Sequence, residues 1–209
     1  MPASGDKRPL IAIAGPVGAG KSTLVGGLVS RLGDATAIHF DHYERITERP
    51  IEQIRSWMKS GADPDALSIA GLAEALEALK SGRSIVHPAT RAAVPAGRYI
   101  VFETQFGRQH AATGRHIDFL VWVDTPLDVA LARKVRQFAR EAGALGPHEI
   151  RGFIPWLGEY LDNYESLVGA LLRIQSDTVA ARADLAIDGR QDPGTLVTQI
   201  LIEIERRFA

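Results

Sequence analysis

The chain has 209 residues, 45% of them apolar and 23% charged, a globular composition that leaves disordered and fibrous classes without support. Its 24 basic and 25 acidic residues give a net charge of −1, so the basic excess of a protein held to nucleic-acid phosphates is missing. Cysteine is absent, which excludes disulfide scaffolds, thiolate metal sites and cysteine nucleophiles. At about 150 residues per domain, the length predicts one domain over residues 1–209. The polar start and the five-residue apolar run Leu10–Ala14 match neither a signal peptide nor a membrane span, which need roughly 7–15 and about 20 apolar residues. The expectation is a soluble, cytoplasmic protein with no nucleic-acid or membrane partner; a homo-oligomer stays open.

Leu10–Ala14 is a continuous apolar run that stops at Gly15, as a strand buried on both faces does. Leu24, Val25, Leu28, Val29 and Leu32 then fall at helical spacing over 22–32, and Gly33-Asp34 ends the pattern. A second strand is expected at Ala35–Phe40. A helix from near Pro50 places Ile51, Ile54, Trp57 and Met58 on one face, and Gly61 to Asp65 breaks the chain. Ile69 to Leu79 reads as a helix closed by Ser81-Gly82. Tyr99–Phe102 and Phe119–Val123 are two more strands of the buried type, each followed by a carboxylate, Glu103 and Asp124. Pro126 suits a first helical turn, and the helix continues through Leu127, Ala130, Leu131, Val135 and Phe138. After a flexible break at Gly143–Pro147, a helix is expected over Ile154–Ile174, its start limited by Pro155. Leu185–Ile187 is a last strand and Thr195–Phe208 a closing helix. Strands alternating with helices predict an α/β fold whose parallel sheet is covered on both faces.

Gly15-Pro16-Val17-Gly18-Ala19-Gly20-Lys21-Ser22, followed by Thr23, fits the pattern G-x-x-x-x-G-K-[ST] between a strand and a helix. Backbone N–H groups in such a loop bind phosphate oxygens, helped by the positive end of the helix. The lysine reaches the β and γ phosphates, and the serine hydroxyl ligates Mg²⁺. Gly15, Val17, Gly18, Ala19, Gly20, Lys21, Ser22 and Thr23 are therefore expected to bind a nucleoside triphosphate, ATP first. No N-K-x-D guanine-reading tetrapeptide is present, and Asp124-Thr125-Pro126 is followed by Leu127 where a D-T-P-G switch has glycine. A small-molecule kinase and a P-loop ATPase or partner protein remain as the two classes.

Asp41 follows the second strand in Phe40-Asp41-His42-Tyr43, and strand ends in an open α/β sheet face the ligand crevice. A carboxylate there can orient and deprotonate an acceptor hydroxyl, whereas a turn cap is its ordinary structural role. With these residues the sequence resembles the uridine kinase-like group of P-loop kinases, which includes phosphoribulokinase and bacterial pantothenate kinase. The resemblance runs on through Pro64-Asp65-Ala66-Leu67, the leucines to Leu79-Lys80-Ser81-Gly82, Pro88, Val101-Phe102-Glu103 and Ala183-Asp184-Leu185-Ala186-Ile187-Asp188-Gly189.

The resemblance implies a P-loop fold with a five-stranded sheet in the order 2-3-1-4-5 and a small helical lid around 133–152. It implies Asp41 as catalytic base and Glu103 on the acceptor or on the metal shell, so that Ser22, Asp41 and Glu103 form the metal set. Lid arginines would neutralise the transferred phosphoryl group. Arg133, Arg136 and Arg140, spaced by three and four, share one helical face, and Arg133 and Arg136 are the catalytic candidates. Gly189, Arg190 and Gln191 would touch adenine. Asp41, Tyr43, His87, Arg91, Glu103 and Arg140 are the candidates for the acceptor site. The activity implied is ATP- and Mg²⁺-dependent phosphorylation of a hydroxyl, a nucleoside standing first and a sugar or pantothenate-type alcohol second. Between Pro88 and Glu103 the family's pyrimidine-reading hairpin is shortened or replaced.

The six histidines, His39, His42, His87, His110, His116 and His148, show no i, i+4 pair beside a glutamate, so zinc is not expected. Gln105, Arg108 and His110 follow Glu103 on a loop that could hydrogen-bond a polar substrate. Trp156, Tyr160 and Tyr164, four apart, read as a packing stripe.

Overall fold

A computed structural model describes residues 8–44, 49–67, 69–144 and 146–208, with the side chains of Pro147 and His148 left aside. The polar start at 1–7, Leu145 of the expected break, and His148 as a side chain lie outside that description.

Five strands form the central parallel sheet: β1 (Leu10–Ala14), β2 (Ala35–His39), β5 (Tyr99–Thr104), β6 (Phe119–Asp124) and β7 (Leu185–Asp188). Their order is β2-β5-β1-β6-β7, which is 2-3-1-4-5 when the two strands of a separate antiparallel hairpin, β3 (Ile85–Val86) and β4 (Ala93–Val94), are set aside. Alternate residues of β1 explain its unbroken apolar run. Leu10, Ala12 and Ala14 join a core that includes Ile38, Phe102, Leu120 and Trp122. Ile11 and Ile13 join the opposite one, with Val101, Phe119, Val121 and Val123. A fully buried Leu, Ile or Phe contributes about 1.5–3 kcal/mol, so a strand apolar on both faces is fixed to the middle of the sheet.

Helices α1 (Lys21–Leu32) and α8 (Pro193–Phe208) cover the second face through Leu24, Val25, Leu28, Leu196, Ile200 and Ile204. The first face is covered by α3 (Leu72–Lys80), whose Leu72, Leu76 and Leu79 are fully buried, together with Val179. The expected helix near Pro50 is α2 (Ile51–Lys59), and a one-turn helix, α4 (Ala111–Gly114), follows β5. No helix among the described residues is long and apolar enough to cross a membrane.

The expected helix at 154–174 is corrected. Helix α5 (Leu127–Ala142) is followed by α6 (Pro147–Asn163), which starts at Pro147 and runs through Pro155; a π-helical turn at Tyr164–Val168 then leads into α7 (Gly169–Ala180). Pro155 lacks an N–H and so leaves the Arg151 carbonyl without its helical donor. Arg151 and Pro155 are exposed, which lets water replace that donor at small cost. The π turn adds a residue to the spiral, and there the Tyr164 hydroxyl donates to the Leu127 carbonyl at the start of α5, at 3.3 Å.

Candidate active site

The phosphate loop joins the end of β1 to α1. Gly18 has φ +85°, and a Cβ at that position would stand 2.1 Å from the Ala130 carbonyl oxygen of α5, so only glycine lets the loop rest on that helix. The N-cap of α1 is Gly20, which offers no side-chain oxygen to the first turn. The leading N–H groups of the helix, unpartnered within it, are thus left for an anion. Lys21 Nζ donates to the Gly15 and Pro16 carbonyls at 3.0 and 3.1 Å. Its burial pushes the ammonium below its ordinary pKa, against the opposing pull of Glu103 and Asp41.

Sheet register builds the other wall. His39 of β2 and Ile13 of β1 both pair with Glu103 of β5, and in parallel strands such partners share a face. That face is the one α1 covers. Glu103 there accepts from Ser22 Oγ at 3.2 Å and meets His39 Nδ1 at 2.6 Å. Burial alone would raise the Glu103 carboxyl, but His39, Lys21 and Ser22 together hold it below the usual carboxylate value. Asp41 sits in a 3₁₀ turn, Phe40–His42, fixed by the buried Phe40. Its Oδ1 accepts from Gln105 Nε2 at 3.0 Å.

These groups line one cleft of about 460 Å³. Val17, Gly18, Gly20, Lys21, Ser22 and Thr23 form one side, Phe40, Asp41, Glu103, Thr104 and Gln105 the other, and Arg133, Lys134 and Gln137 of α5 the rim. A second cleft, about 230 Å³, adjoins it and is lined by Ala19, Gly20, Thr23, Leu24, Gly189, Gln191, Pro193, Leu196 and again Arg133. Arg133 belongs to both, and its guanidinium donates to the Gly189 carbonyl at 2.8 Å.

Other expected site residues stand elsewhere. Arg136 and Arg140 are exposed on α5 and line neither cleft; the α5 face toward the loop carries Arg133, Lys134 and Gln137 instead. The Arg190 side chain turns back onto Asp188, at 2.9 Å, holding that carboxyl at about 2 through its hydrogen bonds, and lines a different cleft with Asp124 and Pro126. Tyr43 packs against the core, and that burial raises its phenol. Gly15 lies beneath the cleft and contributes its carbonyl to Lys21. Arg91 is exposed in the β3–β4 turn with φ +60°, and neither it nor His87 lines the clefts. Asp41 does not join Ser22 on Glu103 but bonds Gln105, and among the described residues no group of three or more His, Asp or Glu is arranged to hold a metal ion.

His87 Nε2 lies 3.0 Å from His42 Nδ1, and the His42 ring stands between those of His39 and His87, with centroids 5.0 and 4.7 Å away. Burial, then the neighbouring His39 and His87, lower His42 below the ordinary imidazole value. Lys134, Gln137 and His39 were not among the expected site residues. Gln137 lies four positions from Arg133, a helical-face signal that could have flagged it; pairing of His39 with Glu103 left no local sign.

No protein-family model matches the sequence, and no curated protein matches it. Solved structures do match. Shikimate kinase from Acinetobacter baumannii, solved with shikimate, aligns over 98% of this chain and 97% of its own, at 20% identity and TM-score 0.53. A possible uridine kinase from Bacillus stearothermophilus aligns over 87% and 89%, at 16% identity and TM-score 0.54. The fold is that of the P-loop kinases. A sugar kinase from Janibacter sp. HTCC2649 aligns with the same architecture over 96% of each chain, at 16% identity and TM-score 0.50.

Proposed function

We propose that the protein is an ATP-dependent kinase that transfers the γ-phosphoryl group to a hydroxyl of a small molecule. The carrying observation is that Asp41 and Glu103, at the ends of two neighbouring strands, open into the cleft that holds Lys21 and Ser22. In this reading Asp41 accepts the acceptor's proton, the leading N–H groups of α1 and Lys21 hold the β and γ phosphates, and Arg133 reaches the phosphates from the α5 side. The second cleft, at Gly189 and Gln191, takes the base. Ser22 and Glu103 offer adjacent hard oxygen donors, which suit Mg²⁺ with its remaining positions filled by water and phosphate. Bound there, Mg²⁺ would neutralise charge on the phosphoryl oxygens. The stretch 133–152 serves as a lid of a single catalytic domain and would bring Arg136 and Arg140 toward the cleft on closing. A nucleoside is the first choice of acceptor and a sugar or pantothenate-type alcohol the second.

The test is ADP release from ATP and Mg²⁺ across nucleosides, sugars, sugar phosphates and pantothenate. A strong rise with one acceptor supports the reading. Slow hydrolysis indifferent to every acceptor, and equally indifferent to Asp41→Asn, would favour an ATPase or partner protein and overturn it.

A further inference from the structure

The register between β2 and β5 persists past the ends of the strands. Their last ladder pair is His39 and Glu103, 64 positions apart, and the contact beyond it, Gln105 Nε2 to Asp41 Oδ1 at 3.0 Å, spans 64 positions again. Both ends of that contact are anchored. Phe40, beside Asp41, and Phe106, beside Gln105, are buried, and their rings meet edge to face with centroids 5.5 Å apart. Thr104, fully buried, accepts the Phe106 N–H on its Oγ1 at 3.2 Å, a side-chain turn with Gln105 at its apex. An apolar pair thus keeps its two polar neighbours within reach of each other, and both of these line the cleft.

A carboxylate only accepts, so the Gln105 amide turns its NH₂ to Asp41 and occupies Oδ1. Lys21 stands near enough for its buried ammonium to be drawn by Asp41 as well as by Glu103. An untethered Asp41 would turn toward that cation, and the pair would tie up the base and the phosphate-binding lysine together. A neutral amide resists this without adding charge to the cleft. A cation in its place would compete for Asp41, and an anion would repel the phosphates.

We infer that Gln105 is a positioning residue for phosphoryl transfer: its amide fixes Asp41 through Oδ1, holds the carboxylate off Lys21 and assigns the acceptor's proton to Oδ2. This rests on the kinase reading above.

The experiment offers uridine, fructose, fructose 6-phosphate and pantothenate to the full chain with ATP and Mg²⁺, and continues with the one turned over fastest. Gln105→Leu should lower kcat about 10- to 100-fold, the effect of a misplaced reacting group, while the KM for ATP and for the acceptor move far less. Gln105→His, whose Nε2–H reaches about as far as the amide, should recover most of the loss. In an Asp41→Asn background Gln105→Leu should cost almost nothing more, because its effect passes through the base; a merely structural role would cost the same in both backgrounds. A kcat indifferent to Gln105→Leu, or an equal loss without the Asp41 carboxylate, would overturn the inference and leave the kinase reading standing. No turnover of any of the four would overturn both.

Discussion

Ser22 Oγ stands 3.2 Å from Glu103 Oε1, joining the first turn of α1 to the end of β5 across 81 positions of sequence. Glu103→Gln keeps a hydrogen-bonding group there but removes the ionised oxygen. The Mg²⁺ concentration needed for half-maximal rate should rise about 10- to 100-fold, read by titrating Mg²⁺ at saturating ATP. An unchanged requirement would take Glu103 out of the metal site.

Asp41→Asn keeps an acceptor oxygen for Gln105 and loses the base. Acceptor phosphorylation should fall by about 10²–10⁴, while ATP affinity, measured by calorimetry, should change little. Transfer at full rate would refute the assignment of Asp41.

Lys21 is 7% exposed, and in the nucleotide-free protein its charge is buried on backbone carbonyls. Lys21→Met should reduce transfer by at least about 10²-fold and yet stabilise the free protein, by about 1 kcal/mol in chemical denaturation, because the desolvated cation is gone. The sign with pH follows. The folded protein binds fewer protons than the unfolded chain between the lowered folded value and the ordinary 10.5, so stability rises with pH through that window. The variant should lack this rise.

Asp184 accepts from Arg108 at 2.6 Å and from the Leu120 N–H at 2.7 Å. Burial would raise its carboxyl, but these two partners outweigh it and hold the value below 3.8. The folded value being depressed, the contribution is full above the unfolded value and is lost as pH falls through the folded one. Asp184→Asn should therefore cost about 1 kcal/mol near neutral pH, discounted for partial exposure, and progressively less at acid pH below the ordinary carboxylate value, as the folded carboxylate takes up its proton. Urea denaturation at neutral and at acid pH reads the difference.

What the sequence made legible was what is local. The phosphate loop is eight consecutive residues, and β1, β5 and β6 are short strings apolar on both faces, so neither needs knowledge of partners. The hairpin was missed because Ile85–Val86 and Ala93–Val94 are too short for a period to register. The entry to α6 was missed because Pro155 was read as limiting where the helix starts, a limit that holds only where the orphaned carbonyl has no water. The spacing of Arg133, Arg136 and Arg140 defines a stripe on α5, but the direction α5 turns that stripe is set by its packing on the phosphate loop. His39 meets Glu103 through strand register between positions 64 apart, and register is a property of the assembled sheet.

Gly18 has a mechanical consequence as well as a steric one. With its backbone pressed on the Ala130 carbonyl, the base of α5 and the phosphate loop are a single rigid seat, and Ala130 is fully buried. A lid carried by α5 cannot swing as a whole helix without lifting off the loop. On the proposed lid reading its fulcrum would lie beyond Ala130, close to Arg133, which would keep that arginine at the axis while Arg136 and Arg140 ride the longer arm. A side chain introduced by Gly18→Ala would wedge that seat apart, loosening phosphate grip and lid travel together.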